Sequence, residues 1–181
     1  MSYSDSRYKR SIERVTAEAF WLKTYQNALC GLTVTAIGLD FFRVSMNALK
    51  DARLIRLIRI LEDDSKVASL WYIFKSNERR FYKAGKEVGF DVDLARRLAD
   101  QFIGIRNKTF VHIDRQGVFD PGRLYDEAGI THNDLDRFIR TLWPLMGALH
   151  LDVLGHEVKG DDYSGEDIAY LAGLRDQNGE R

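Results

Sequence analysis

Apolar side chains recur every three or four positions along most of this chain, the period of a helix with one buried face. Ile12, Val15, Ala19, Leu22, Tyr25 and Leu29 fall in this register and predict a first helix over about residues 6–29, with Gly31 as its stop. Phe41, Met46, Leu49, Leu54, Ile58 and Leu61 predict a second, long helix over about 35–63, closed poorly by Glu62-Asp63-Asp64. A shorter helix over about 66–76 carries Val67, Leu70, Trp71 and Phe74, and another spans about 77–88 before Gly89. Asp91 then caps a helix over about 92–115 that stops before Gly117. Asp120-Pro121 opens a short helix. Thr131-His132-Asn133-Asp134 resembles a capping box, with Asp in place of Glu or Gln, and starts a helix to about 155 with a bend at Pro144. Ser164-Gly165-Glu166-Asp167 caps a last helix near 165–174. The expected fold is all-α: an up-and-down bundle of four to five long helices with short satellites. It is expected to form one domain over residues 1–181, with 157–181 as a C-terminal extension.

Two polar residues interrupt the apolar pattern of the 92–115 helix. Counting back from His112 by threes and fours gives Thr109, Ile105, Phe102 and Leu98; Arg106 shares its stripe with Ile103, Ala99 and Ala95 on one side and Phe110 and Ile113 on the other. Polar groups on faces that pack must find partners or serve a ligand. Arg106 and His112 stand six residues apart, which is about 120° around the axis and about 9 Å along it. Within one helix they are poor neighbours, so a site using both is easier to build across a twofold axis.

Arg106-Asn107-(x4)-His112 resembles the signature of the HEPN superfamily: an arginine, a polar residue, and a histidine four to six positions on, late in a helical hairpin. The longer string Arg-Asn-Lys-x-x-x-His-x-Asp is similar to the abortive-infection U-type branch of that superfamily. So is the upstream pattern of Leu54-Ile55-Arg56-Leu57, Arg59-Ile60-Leu61-Glu62-Asp63 and Ser69-Leu70-Trp71, and the resemblance covers roughly residues 10–155. It implies a metal-independent endoribonuclease, without cofactor, that acts on RNA as a homodimer and often serves as a toxin in phage defence, with an antitoxin or regulatory protein as a further partner. Arg106, Asn107 and His112 are then the catalytic set, with Lys108 and Asp114 supporting it. One departure stands out. A HEPN branch paired with nucleotidyltransferase antitoxins carries a tyrosine two positions after the histidine, and here that position is Asp114, so regulation through that tyrosine does not carry over.

The residue chemistry suits this expectation. A guanidinium is a permanently charged fork matched to phosphate oxygens, able to stabilise charge that develops on them. An imidazole takes or gives a proton near neutral pH. Together they can drive attack by the 2′-hydroxyl of RNA on its own phosphate, which spares DNA, while Asn107 orients the phosphate or the ring. The plainer alternatives stay open: Arg106 as a packed ion pair with Asp40 or Asp100, His112 as a hydrogen-bonded core residue, and the chain as a silent HEPN module binding nucleotide, RNA or protein, or simply a helical dimerisation domain.

Charge narrows the partners only locally. Residues 43–87 hold 11 basic and 6 acidic side chains and residues 117–181 hold 6 and 13, so the formal net charge of zero conceals a basic segment and an acidic one. The overall basicity of a nonspecific nucleic-acid coat protein is lacking. Arg53, Arg56 and Arg59 offer either an RNA-backbone track or a solvated helix face whose stems cover apolar neighbours. Arg79, Arg80, Lys83 and Lys86, interleaved with Phe81 and Tyr82, offer cations beside aromatic rings, a combination that holds single strands. Gly104 in mid-helix suggests close approach of another helix. Cys30 is the single cysteine, His132, His150 and His156 lack metal spacing, and neither a phosphate-cradling loop nor a nucleophile elbow is encoded. With no apolar run approaching 18 residues, no signal peptide or membrane span is expected, and the expected setting is a reducing cytoplasm.

Overall fold

Among the described residues six helices follow in order: α1 (Tyr3–Gly31), α2 (Asp40–Leu61), α3 (Leu70–Ser76), α4 (Glu78–Val88), α5 (Val92–Arg106) and α6 (His132–Leu154). The computed structural model describes residues 3–31, 40–106, 127–160 and 163–167, and side chains for those of them from residue 5 onward, except 40–42. No strand occurs among the described residues. The fold is an all-α helical bundle.

The central element is α1, which packs against α2, α3 and α6. Its buried stripe of Tyr8, Ile12, Val15, Ala19 and Leu22 meets Leu54, Leu57, Ile60 and Leu61 of α2 and Leu135, Phe138, Leu142, Leu145 and Leu149 of α6 in one apolar core. Tyr25 and Leu29, expected inside, are only part-buried, as are Met46, Leu49 and Ile58 of α2. An edge-to-face column of rings runs Trp71, Phe74, Phe81 and Phe90, at centroid distances of 6.1, 5.2 and 5.9 Å, and ties α3 to α4 and the turn after it. Aromatic pairs in this geometry add stability beyond the area they bury.

The helix ends show why these segments and not others are helical. The second helix stops at Leu61 rather than 63. Its last carbonyl accepts a hydrogen bond from the buried Trp71 indole at 2.9 Å, and the chain then turns, with Val67 N–H donating to Asp64 O at 3.1 Å. That turn also moves the next helix from the expected 66 to Leu70, capped by Ser69, whose hydroxyl accepts from Tyr72 N–H. Asn77 ends α3 with its backbone N–H and begins α4 with its side chain, which accepts from Arg80 N–H. Gly89 closes α4 at φ 69°, a left-handed conformation that suits glycine. Asp91 Oδ1 accepts from the N–H groups of Asp93 and Leu94 at 3.0 Å, as an N-cap should.

Thr131 caps α6 by accepting from Asp134 N–H at 3.1 Å, while Asp134 turns to Arg97. Helix α6 continues through Pro144 to Leu154. Proline deletes the bond to the carbonyl four residues back. Here that carbonyl belongs to the exposed Arg140, where water can take the place of the missing donor. The start of the short helix expected from Asp120-Pro121, the end of the 92–115 helix beyond Arg106 and most of the 165–174 helix lie outside the described residues.

Candidate functional site around Arg106

Six residues of α5, Leu94, Ala95, Leu98, Ala99, Phe102 and Ile105, point into the core. The stripe that leads to His112 is therefore the buried one. The stripe of Arg106 climbs from buried Ala95 and Ala99 to Ile103, which is 40% exposed. Arg106 thus sits at the rim of the bundle rather than inside it.

One partner of its guanidinium is Glu62. Arg106 Nη1 donates to Glu62 Oε1 at 2.7 Å, with the two side chains 33% and 30% exposed. The carboxylate comes from the residue just past the end of α2, and not from Asp40 or Asp100 as an ion pair read from the sequence suggested. The pairing has a local cause. A helix C-terminus carries partial negative charge, and here three carboxylates follow it in succession. Cations must gather there: Arg106 takes Glu62 and Lys75 takes Asp63 at 2.6 Å. Asp64 instead accepts the Lys66 backbone N–H at 2.8 Å.

Over this pair opens a cleft of about 430 Å³ lined by Glu62, Asp63, Asp64, Ser65, Ile103 and Arg106. A small apolar crevice lies beside it between Ile58, Leu61, Ala99 and Phe102. The cleft combines one guanidinium, three carboxylates and an exposed isoleucine. Compared with protein-family models, curated proteins and solved structures, the chain has no match. The chemistry must be read from the residues themselves.

Asn107, Lys108, His112 and Asp114 lie outside the described residues. The other candidates are on α4. Helix α4 packs on α3 and α6, whereas Arg106 and Glu62 belong to the α2–α5 contact. On α4, Arg80 Nε is bound to Asp152 at 2.8 Å, and Arg79 and Lys83 are exposed. Phe81 is fully buried, which leaves Tyr82 as the ring exposed beside these cations. Burial raises the Tyr8 phenol above its ordinary value, with the Arg80 charge pulling the other way.

Of the α2 arginines singled out, Arg53 and Arg56 are held by α1, whereas Arg59 is 56% exposed and reaches Glu18 only at 3.8 Å. Arg53 Nη1 donates to Gln26 Oε1 at 2.8 Å. Arg56 turns inward to Glu18 of α1 and lies 5.2 Å from the Tyr25 ring centroid. Two features escaped sequence reasoning: Glu62 as the counter-ion of Arg106, and Glu18 as an anchor for three arginines. Glu62 had no signal, because it depends on which helix ends meet; Glu18 had only its i,i+4 spacing from Arg14, which does not reveal Arg56 or Arg59.

Gly104 faces outward, and a Cβ built on it meets nothing within 4 Å among the described residues. Close packing among the described residues therefore does not demand a glycine there. Gly104→Ala is expected to raise the melting temperature of the monomer by about 2–4 °C, from a helix-propensity gain of up to about 1 kcal/mol. If the position is a seam between two copies, the added methyl also weakens association by about tenfold. Melting curves and sedimentation at two protein concentrations read both effects, and a higher melting temperature with unchanged association removes Gly104 from any seam.

Proposed function

We propose that this chain is a HEPN-type, metal-independent endoribonuclease that works as a homodimer, with Arg106 of one protomer and His112 of the other acting on one phosphate. The observation that carries the reading is the position of Arg106: its guanidinium stands at the mouth of an open cleft, in an all-helical bundle, and is not sealed in the core. In the proposed step the 2′-oxygen attacks phosphorus and the bond to the 5′-oxygen breaks. One proton leaves the 2′-hydroxyl and one is delivered to the 5′-oxygen, giving a 2′,3′-cyclic phosphate and a 5′-hydroxyl. His112 handles a proton, Arg106 stabilises charge on the phosphoryl oxygens, and Asn107 orients the group. Lys108, Asp114 and the α4 cations Arg79, Arg80 and Lys83 are supporting contacts in this reading.

Glu62 gives the proposal a resting state. A phosphate reaching Arg106 has to displace a carboxylate already bound to it, with Asp63 and Asp64 close by. A partner protomer that brings positive charge into the cleft answers that repulsion. The exposed Ile103 at the cleft and the open flank at Gly104 support a second copy on this side. A toxin of phage defence, cytoplasmic and restrained by an antitoxin or regulatory protein, is the setting that goes with the reading. No helix among the described residues is long and apolar enough to cross a membrane.

The same ion pair favours the second reading, a silent HEPN module that binds nucleotide, RNA or protein without turnover. The two separate cleanly. Purified protein incubated with RNA in excess EDTA is expected to yield products ending in 2′,3′-cyclic phosphate. Absence of cleavage, or cleavage undiminished in both Arg106→Ala and His112→Ala, leaves only the silent reading.

A further inference from the structure

A second cavity, of about 330 Å³, lies where the start of α1 meets the 62–69 connection, and it is lined by Ser6, Arg7, Arg10, Ser11, Arg14 and Lys66. Among the described residues no acidic side chain lines it. Arg7, Arg10 and Arg14 stand at i, i+3 and i+7, so they share one face of α1. Like charges at such spacing destabilise a helix, and only part of that repulsion is relieved. Arg7 Nη2 donates to Ser65 O at 2.8 Å and its guanidinium lies 4.8 Å from the Tyr72 ring centroid. Arg14 reaches Glu18 at 3.0 Å, yet its side chain remains 63% exposed. Arg10 and Lys66 are exposed and have no ion-pair partner among the described residues.

From these observations we infer that the cavity is a binding site for phosphate groups carried in a row on a flexible chain, the chemistry shared by single-stranded RNA and inorganic oligophosphates. Arg7 to Arg14 spans about 10 Å along the helix, more than one phosphate can bridge. Guanidinium forks match phosphate oxygens, and Ser6 lines the same space, while the Ser11 hydroxyl donates to Arg7 O at 2.9 Å. Among the described residues no aromatic ring lines the cavity, so the contacts they offer are to the phosphate backbone and not to bases. The site is independent of the Arg106 proposal, and its test involves no turnover.

The probes are a labelled 12-nucleotide 2′-O-methyl RNA, which offers no 2′-hydroxyl for attack, inorganic tripolyphosphate, and a (Glu)12 peptide as the competing chemistry. Four phosphate contacts on a single strand give a salt slope of about −2.8, hence about a 50-fold loss of affinity between 50 and 200 mM salt. The Arg10→Gln/Lys66→Gln double variant removes two contacts, and its loss over the same range is expected to be about 7-fold. It should also bind at least tenfold more weakly at 50 mM salt, with an unchanged melting temperature because neither side chain is bonded within the described fold. RNA affected in this way identifies a nucleic-acid backbone, and tripolyphosphate alone affected identifies a free oligophosphate; either supports the site. Unchanged affinity of the double variant for both, no binding of either by the wild type, or tighter binding of (Glu)12 overturns it.

Discussion

Arg106→Ala is expected to slow RNA cleavage by about 10²–10³-fold, the usual effect of deleting one preorganised group that faces developing charge. His112→Ala is expected to cost about 10²–10⁴-fold as a lost proton-transfer group. The arginine variant should remain folded. Its ion pair with Glu62 is about one-third exposed on both sides, and such pairs contribute only about 0–1 kcal/mol. A loss of rate without a loss of melting temperature therefore separates chemistry from architecture. Arg106→Lys sharpens the point, because it keeps the charge but loses the planar fork. It should recover little of the rate. Glu62→Gln is expected to move the other way: with the competing carboxylate gone, KM falls while kcat changes little. Should Glu62→Gln be as damaging as Arg106→Ala, the carboxylate positions the guanidinium and the resting-state view is wrong.

Mixing the two inactive variants tests the dimer directly. If Arg106 and His112 of one site come from different protomers, each mixed dimer regenerates one intact site and one doubly defective site. An equimolar, freely exchanging mixture then recovers about one quarter of wild-type activity. A site held within one protomer recovers none. Recovery cannot come from refolding or from contamination in either preparation alone, since each is measured unmixed.

Local signals carried most of the fold. Gly89, Asp91 and Thr131 act where a residue of that type must act, because a helix end leaves orphan backbone groups that only a few side chains or conformations satisfy. The apolar register of α1 as far as Leu22 and the Leu98, Phe102 and Ile105 stripe of α5 likewise foretold buried faces. The failures share one cause. The end of α2 was misplaced because Trp71, ten residues later, supplies the donor for Leu61 O. The counter-ion of Arg106 was sought at Asp40 and Asp100, although Asp40 begins the helix whose far end meets Arg106. Periodicity reports the face of a helix but not the level at which its neighbour stands, and ion pairs depend on that level. The cationic cavity mixes both kinds of information: the Arg7, Arg10 and Arg14 stripe is visible in the sequence, whereas Lys66 joins it only through the turn at Asp64.

Glu18→Ala is expected to be the most damaging single change outside the apolar core, lowering stability by about 3 kcal/mol and the melting temperature by roughly 6–12 °C. Glu18 is a carboxylate on the buried face of α1, its side chain 7% exposed, with Arg56 against one oxygen and Arg14 at 3.0 Å and Arg59 at 3.8 Å on the other. Burying an ion is tolerable only while its partners stay, and removing one member leaves the rest uncompensated. Here three guanidinium groups would converge on an empty position. Arg56 would suffer most, being 21% exposed, while Arg14 and Arg59 can turn to water. For that reason the expected loss lies at the lower end of the range for buried pairs. Replacing both ends, as Glu18→Leu/Arg56→Leu, should recover much of the stability, and a double-mutant cycle in urea should show coupling of more than about 1 kcal/mol. Independent effects that simply add would show that the contact is incidental. The consequence reaches the cleft as well. Arg56 lies six residues before Glu62, so the contact that fixes the level of α2 against α1 also fixes where the Glu62 carboxylate meets Arg106. Loss of Glu18 is therefore expected to disturb the cleft well below the melting transition, with activity falling at temperatures where the helical signal is still intact.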